Sequence, residues 1–165
     1  MKKILMMALL LAPLSLFAQK FGHFNSAEIV QAMPEYATAQ KEIQNLQQQY
    51  ENELKRMQDE LGKKGEEYNQ QRDSLPENVR QRREQELDEL YKRIQQSYQD
   101  NQQSLQKTSA EKMQAITTKI MNAVKEVGTS GGYVYIMDTT AGIPYISTTL
   151  STDITSQIKT KLGLK

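Results

Sequence analysis

The chain holds one histidine, His23, and no cysteine. Nucleophilic catalysis needs a nucleophile beside a base, and with one imidazole and no thiol the usual pairs are nearly excluded. A zinc site would run short of nitrogen and sulfur ligands for the same reason. Carboxylates occur as adjacent pairs, Asp59-Glu60, Glu66-Glu67 and Asp88-Glu89. Neighbouring residues on a helix point apart, so these pairs belong to solvated faces and not to an acid–base site. Gly131-Gly132 precedes a strand-like stretch instead of opening a helix, so it is no phosphate loop. No catalytic residue, cofactor site or metal site is predicted. Arg72, Arg80, Arg82 and Arg83 form one basic cluster, with Asp73 and Glu77 close by. It reads either as ordinary solvated charge or as a contact for a partner polypeptide or a peripheral membrane surface.

The elements that carry these residues are dominated by residues 34–127. Tyr36, Ala39, Ile43, Leu46, Tyr50, Leu54, Met57, Leu61 and Tyr68 recur at steps of three and four, one stripe of a helix. Asp73-Ser74-Leu75-Pro76-Glu77-Asn78 is a turn signature whose proline suits a first helical turn. The stripe resumes at Val79, Leu87, Leu90, Ile94, Tyr98, Leu105, Met113, Ile116, Ile120 and Val124. In an antiparallel hairpin, facing positions have a nearly constant sum. Leu46 with Leu105, Met57 with Ile94 and Leu61 with Leu90 share one sum, and Leu54 with Tyr98 and Tyr36 with Ile116 exceed it by a single residue. Half that sum falls at Leu75-Pro76, where the turn signal lies. The expected seam therefore comprises Ile43, Leu46, Leu54, Met57, Leu61, Leu90, Ile94, Tyr98 and Leu105. At roughly 1.5 Å per residue the two helices would run about 55 and 75 Å, so the hairpin is an arm that buries only one seam. Gly62 and Gly65 interrupt the first helix, as a flexible point or as a place of close helix approach.

The flanking segments, 19–33 and 128–165, read as a small β-rich body. Lys20 to Asn25 predicts a strand, with Ser26 capping a short helix over Ala27 to Met33. Pro34 opens the arm. Gly128 to Gly132 should end the second long helix after Val127. Tyr133 to Met137 is the clearest strand, Asp138 to Gly142 a turn, and Pro144 to Ser147 its expected hairpin partner. Ser151-Thr152-Asp153 should begin a last helix carrying Ile154, Ile158 and Leu162 on one face. Three short strands leave sheet edges open, and so small a body is marginal alone. Closure against other copies is expected through Phe21, Phe24, Tyr133, Val134, Tyr135, Ile136 and Tyr145.

Residues 1–18 read as a secretory signal peptide, with Lys2 and Lys3 before an apolar run too short to remain as a span. Removing both lysines from a net charge of +1 leaves −1. A near-neutral exported chain argues against nucleic acid as the partner.

Phe21-Gly22-His23-Phe24-Asn25-Ser26 and Met33-Pro34-Glu35-Tyr36 resemble the opening of the Skp/OmpH periplasmic chaperones. Tyr133-Val134-Tyr135-Ile136-Met137-Asp138 and Asp153-Ile154-Thr155 resemble its closing pattern. The resemblance implies a mainly α, α+β homotrimer whose helical arms enclose unfolded outer-membrane proteins without ATP, in the periplasm. Well-studied members are strongly basic, and this chain is not. Client contacts near the arm tip would involve Tyr68, Leu75 and Val79 with Arg72, Arg80 and Arg83. The alternative is a coiled-coil spacer or adaptor of the cell envelope. That would require a contiguous off-seam apolar stripe for a fixed partner, and the periodicity suggests none.

Overall fold

The structure, a computed structural model, describes residues 19–164; the expected signal peptide lies outside them. Strand β1 (Lys20–Phe24) is followed by helix α1 (Ser26–Ala32) and the long helix α2 (Pro34–Gln71). A 3₁₀ turn at Arg72–Ser74 reverses the chain into helix α3 (Glu77–Gly131). Strand β2 (Tyr133–Asp138), a 3₁₀ turn (Thr139–Ala141), strand β3 (Ser151–Asp153) and helix α4 (Thr155–Lys161) complete the order. At 38 and 55 residues, α2 and α3 run about 57 and 82 Å.

The sheet has the order β2-β1-β3, and both pairings are parallel. Parallel neighbours need a crossover between them. Here the crossover from β1 to β2 is α1 and the whole helical arm. The core lies where the arm's base meets the sheet: Phe24, Ile29, Met33, Ala39, Ile116, Ile120, Ala123, Val127, Ile154 and Ile158 are all buried.

Several boundaries differ from the sequence expectation. Asn25, not Ser26, caps α1, accepting from Glu28 N through its side chain at 3.1 Å. Helix α3 does not stop at Val127 but continues through Gly128 to Gly131, and Gly132 ends it in the left-handed region at φ 66°. Packing decides this: Gly128 is buried, and a methyl group there would lie 2.9 Å from Ile136 Cδ1. Pro144 to Ser147 forms no strand. The second partner of β1 is Ser151–Asp153, which was expected to open the last helix. Once Gly142 turns the chain away at φ 75°, the loop carries it to the free edge of β1 instead of back along β2.

Candidate functional site

The sheet has one side against the core and one side uncovered; alternation sorts the residues from Phe21 and Tyr135 onward, and the register shift between Lys20 and Phe21 interrupts it at Val134. On β1, Phe24 is buried in the core while Phe21 is 37% exposed. On β2, Tyr133 and Ile136 pack against the core, and Val134, Tyr135 and Met137 are exposed. The seven body residues named from sequence therefore separate: Phe24, Tyr133 and Ile136 belong to the chain's own interior, and Phe21, Val134, Tyr135 and Tyr145 are at the surface. The Phe21 and Tyr135 rings stack with centroids 6.3 Å apart and planes within 5°. With Met137, Tyr145 and Leu150 they line a shallow apolar hollow that also borders His23. Tyr145 is 79% and Leu150 75% exposed, so this face is largely uncovered in the single chain. The sheet order leaves β2 and β3 each with an edge that carries no strand among the described residues.

His23 has a partner that sequence reasoning missed. Its Nδ1 lies 2.8 Å from Ser151 Oγ across the β1–β3 pairing. A serine beside an imidazole invites comparison with an acyl-transfer dyad, which requires a carboxylate to orient the ring. The neighbouring Asp153 is committed elsewhere: its Oδ1 accepts from Thr155 N at 2.9 Å and from Thr155 Oγ1 at 2.6 Å. The Thr155 hydroxyl oxygen in turn accepts from Asn25 N. The group ties β3 and α4 to the end of β1. The spacing Asp153-Ile154-Thr155 is a local side-chain-to-backbone turn signal, and it could have placed this junction ahead of a helix. The Thr155 hydrogen bond, assisted by the His23 charge, holds the Asp153 carboxyl below its usual range. Asp138 does the matching job at the end of β2, accepting from Ser26 N and Thr140 N. Burial works to raise its pKa, but these hydrogen bonds outweigh it and the net shift is downward.

The arm seam follows the sequence reading on α2, where Ile43, Leu46, Leu54 and Leu61 are half-buried and Met57 is buried. On α3, Leu90 is buried, and Ile94 and Leu105 are half-buried. Tyr98 is a correction: it is 53% exposed, and Ser97 takes the inward position. Polar pairs accompany the seam: Tyr50 bonds Ser104, Glu42 pairs with Lys112, and Glu35 pairs with Lys119. Their position numbers share one sum, slightly above that of Leu46 with Leu105, an offset that side chains reaching across from beside a seam produce without any shift of register. Near the tip Tyr68 donates to Glu84. Towards the base the polar Asn101, Ser104 and Thr108 turn inward.

At the tip, Leu75 and Val79 are half-buried, and Tyr68 donates to Glu84, which raises the phenol's pKa. The arginine cluster is more neutralised than the sequence suggested. Arg80 pairs with Glu77, and both Arg82 and Arg83 reach Glu86, at 3.7 and 3.1 Å. Glu86 lies three or four residues further along the same helix, a spacing that made these pairs available.

Comparison with known proteins places this architecture. The family model described as "Outer membrane protein (OmpH-like)" matches residues 20–162. Among solved structures, the chain is similar to a candidate outer membrane chaperone (OmpH-like) from Caulobacter crescentus CB15, with a TM-score of 0.74 and 14% identity. That match covers 87% of this chain and 83% of the other. A search of curated proteins finds no match.

Proposed function

The chain belongs to the OmpH-like family, and from that membership and the geometry above we propose that it is a periplasmic holdase chaperone for unfolded outer-membrane proteins. Three copies would join through the exposed body residues Phe21, Val134, Tyr135 and Tyr145, and their arms would surround a client without ATP. The observation that carries this reading is the pairing of an uncovered apolar sheet face, open at two edges, with an arm that buries only one seam. The first is what a chain leaves for its own copies to cover. The second presents a long wall able to make many weak contacts, which a chaperone must release without an energy source.

The test is the light-scattering mass of the purified mature protein, alone and with a urea-unfolded β-barrel membrane protein, alongside that client's turbidity after dilution. The expected result is three chain masses, one client per assembly, and suppressed turbidity. A stable monomer at micromolar concentration, or a client that aggregates at the same rate with and without the protein, would overturn it.

A further inference from the structure

The two flanks of the arm differ in chemistry. On one side of the seam, Glu53, Arg56, Glu60 and Arg93 rim a groove over Met57 and Leu90. Towards the base the same side carries the pairs Glu42–Lys112 and Glu35–Lys119. On the other side of α3, steps of seven and eight residues bring Tyr91, Tyr98 and Met113 near one line, with the half-buried seam residue Leu105 at its inner edge. Tyr91 and Tyr98 are each 53% exposed and Met113 37%. The positions between them at helical spacing are Gln95, Gln102 and Ser109, so this line on α3 carries no charge of its own, and the nearest ion pair is Asp88–Lys92 beside Tyr91. Tyr98 came to this flank because Ser97 took the seam, which is why the periodicity showed no such stripe.

We infer that this uncharged flank is the surface that holds the client, and that the charged flank faces solvent; the inference rests on the chaperone reading above. Its occupant is an extended, unfolded polypeptide with spaced aromatic and aliphatic side chains. Three features favour it over a helix. A helical partner, including a second copy of the arm, would need apolar residues at both alternating seam positions, and here every second one is Gln or Ser. The apolar residues recur about every 10.5–12 Å along the helix, close to the length of three residues of extended chain. The absence of charge places no demand on the client's own charge pattern, whereas the opposite flank carries cations and anions whose desolvation would oppose apolar contact. The Gln amides offer both donors and acceptors to an unfolded backbone.

The experiment compares photo-crosslinking residues placed singly at Tyr91, Tyr98, Arg56 and Arg93 of the full protein, each with the urea-unfolded β-barrel client. Crosslinks to client should form from the two tyrosine positions at several times the yield of the arginine positions. In parallel, Tyr91→Ser with Tyr98→Ser should weaken client binding about tenfold, the scale of two aromatic contacts. Arg56→Ser with Arg93→Ser should change it less than twofold. Assembly mass and helical content should stay fixed in both, since neither tyrosine is buried. Equal yields from both flanks, or crosslinks between arms in place of client, would overturn the flank assignment and leave the chaperone reading standing. No client binding by the unaltered protein would overturn both.

Discussion

Tyr50 Oη lies 2.9 Å from Ser104 Oγ, across the seam of the arm and 54 positions along the chain. Both residues are partly buried, and the bond fixes the register at mid-arm more tightly than an apolar contact could, because a shift of one residue breaks it. One helical turn away, the Asn101 side-chain amide is buried with no partner among the described residues. This layer favours one alignment of the helices at a cost in stability, as polar seam residues do in coiled coils. Ser104→Ala should therefore destabilise the arm by about 1 kcal/mol. Asn101→Leu should stabilise it by about the same amount, because an unpaired amide is replaced by apolar surface. Hydrogen exchange across residues 94–108 reads both changes. A loss of protection in Asn101→Leu would show that the amide is satisfied in solution.

The glycines in α2 give a second prediction. The helix runs unbroken from Pro34 to Gln71, and a methyl group added at Gly62 or Gly65 would meet nothing within 4 Å. Nothing in the single chain approaches either glycine closely, which speaks against close helix approach and leaves the flexible-point reading to be tested. Gly62→Ala with Gly65→Ala should stabilise the helix by about 2 kcal/mol. Hydrogen exchange around residue 62 should slow. A lower melting temperature for the double variant would mean that the added methyl groups meet another copy of the chain.

These two cases show what the sequence could and could not carry. The arm was legible because a stripe at steps of three and four, repeated over two long segments around Leu75-Pro76, has almost one solution. The polar stretch of the seam was not legible, because Ser97, Asn101, Ser104 and Thr108 face inward and an apolar pattern is blind to them. The sheet was less legible still. Ser151–Asp153 is too short and polar to look like a strand, and what makes it one is the free edge of β1, a tertiary fact. The body residues were picked correctly as apolar. Their division between Phe24 inside and Tyr135 outside depended on that same sheet geometry.

The depressed carboxylates set a third prediction. Asp138 and Asp153 both titrate below the ordinary value of 3.8 in the folded chain. A folded pKa below the unfolded one means that the unfolded state binds protons first as pH falls. The stabilisation is therefore full well above 3.8 and is lost as pH drops through the folded values. The urea midpoint at fixed protein concentration should be flat from about pH 7 to 5 and fall below about pH 4. Asp138→Asn with Asp153→Asn should lower the plateau and flatten the acid fall. An acid fall as steep as that of the unaltered protein would assign it to other carboxylates.

The division of the sheet residues supplies the last prediction. Phe24 is 2% exposed and its removal opens the core at the junction of β1 with Ile154 and Ile158; Phe24→Ala should cost about 3–5 kcal/mol and unfold the body. Tyr135 is 61% exposed and stacks on the less exposed Phe21. Tyr135→Lys should leave the single chain folded, because a lysine at that position reaches water. In an assembly built on this face the same lysine would be buried without a partner, at a cost of several kcal/mol for each copy. The variant should thus keep its helical circular dichroism while its light-scattering mass falls towards that of one chain. Salt should not restore the assembly, because the penalty is desolvation and not repulsion at long range. If Tyr135→Lys retained the mass of the unaltered protein, the face would lie outside any interface between copies.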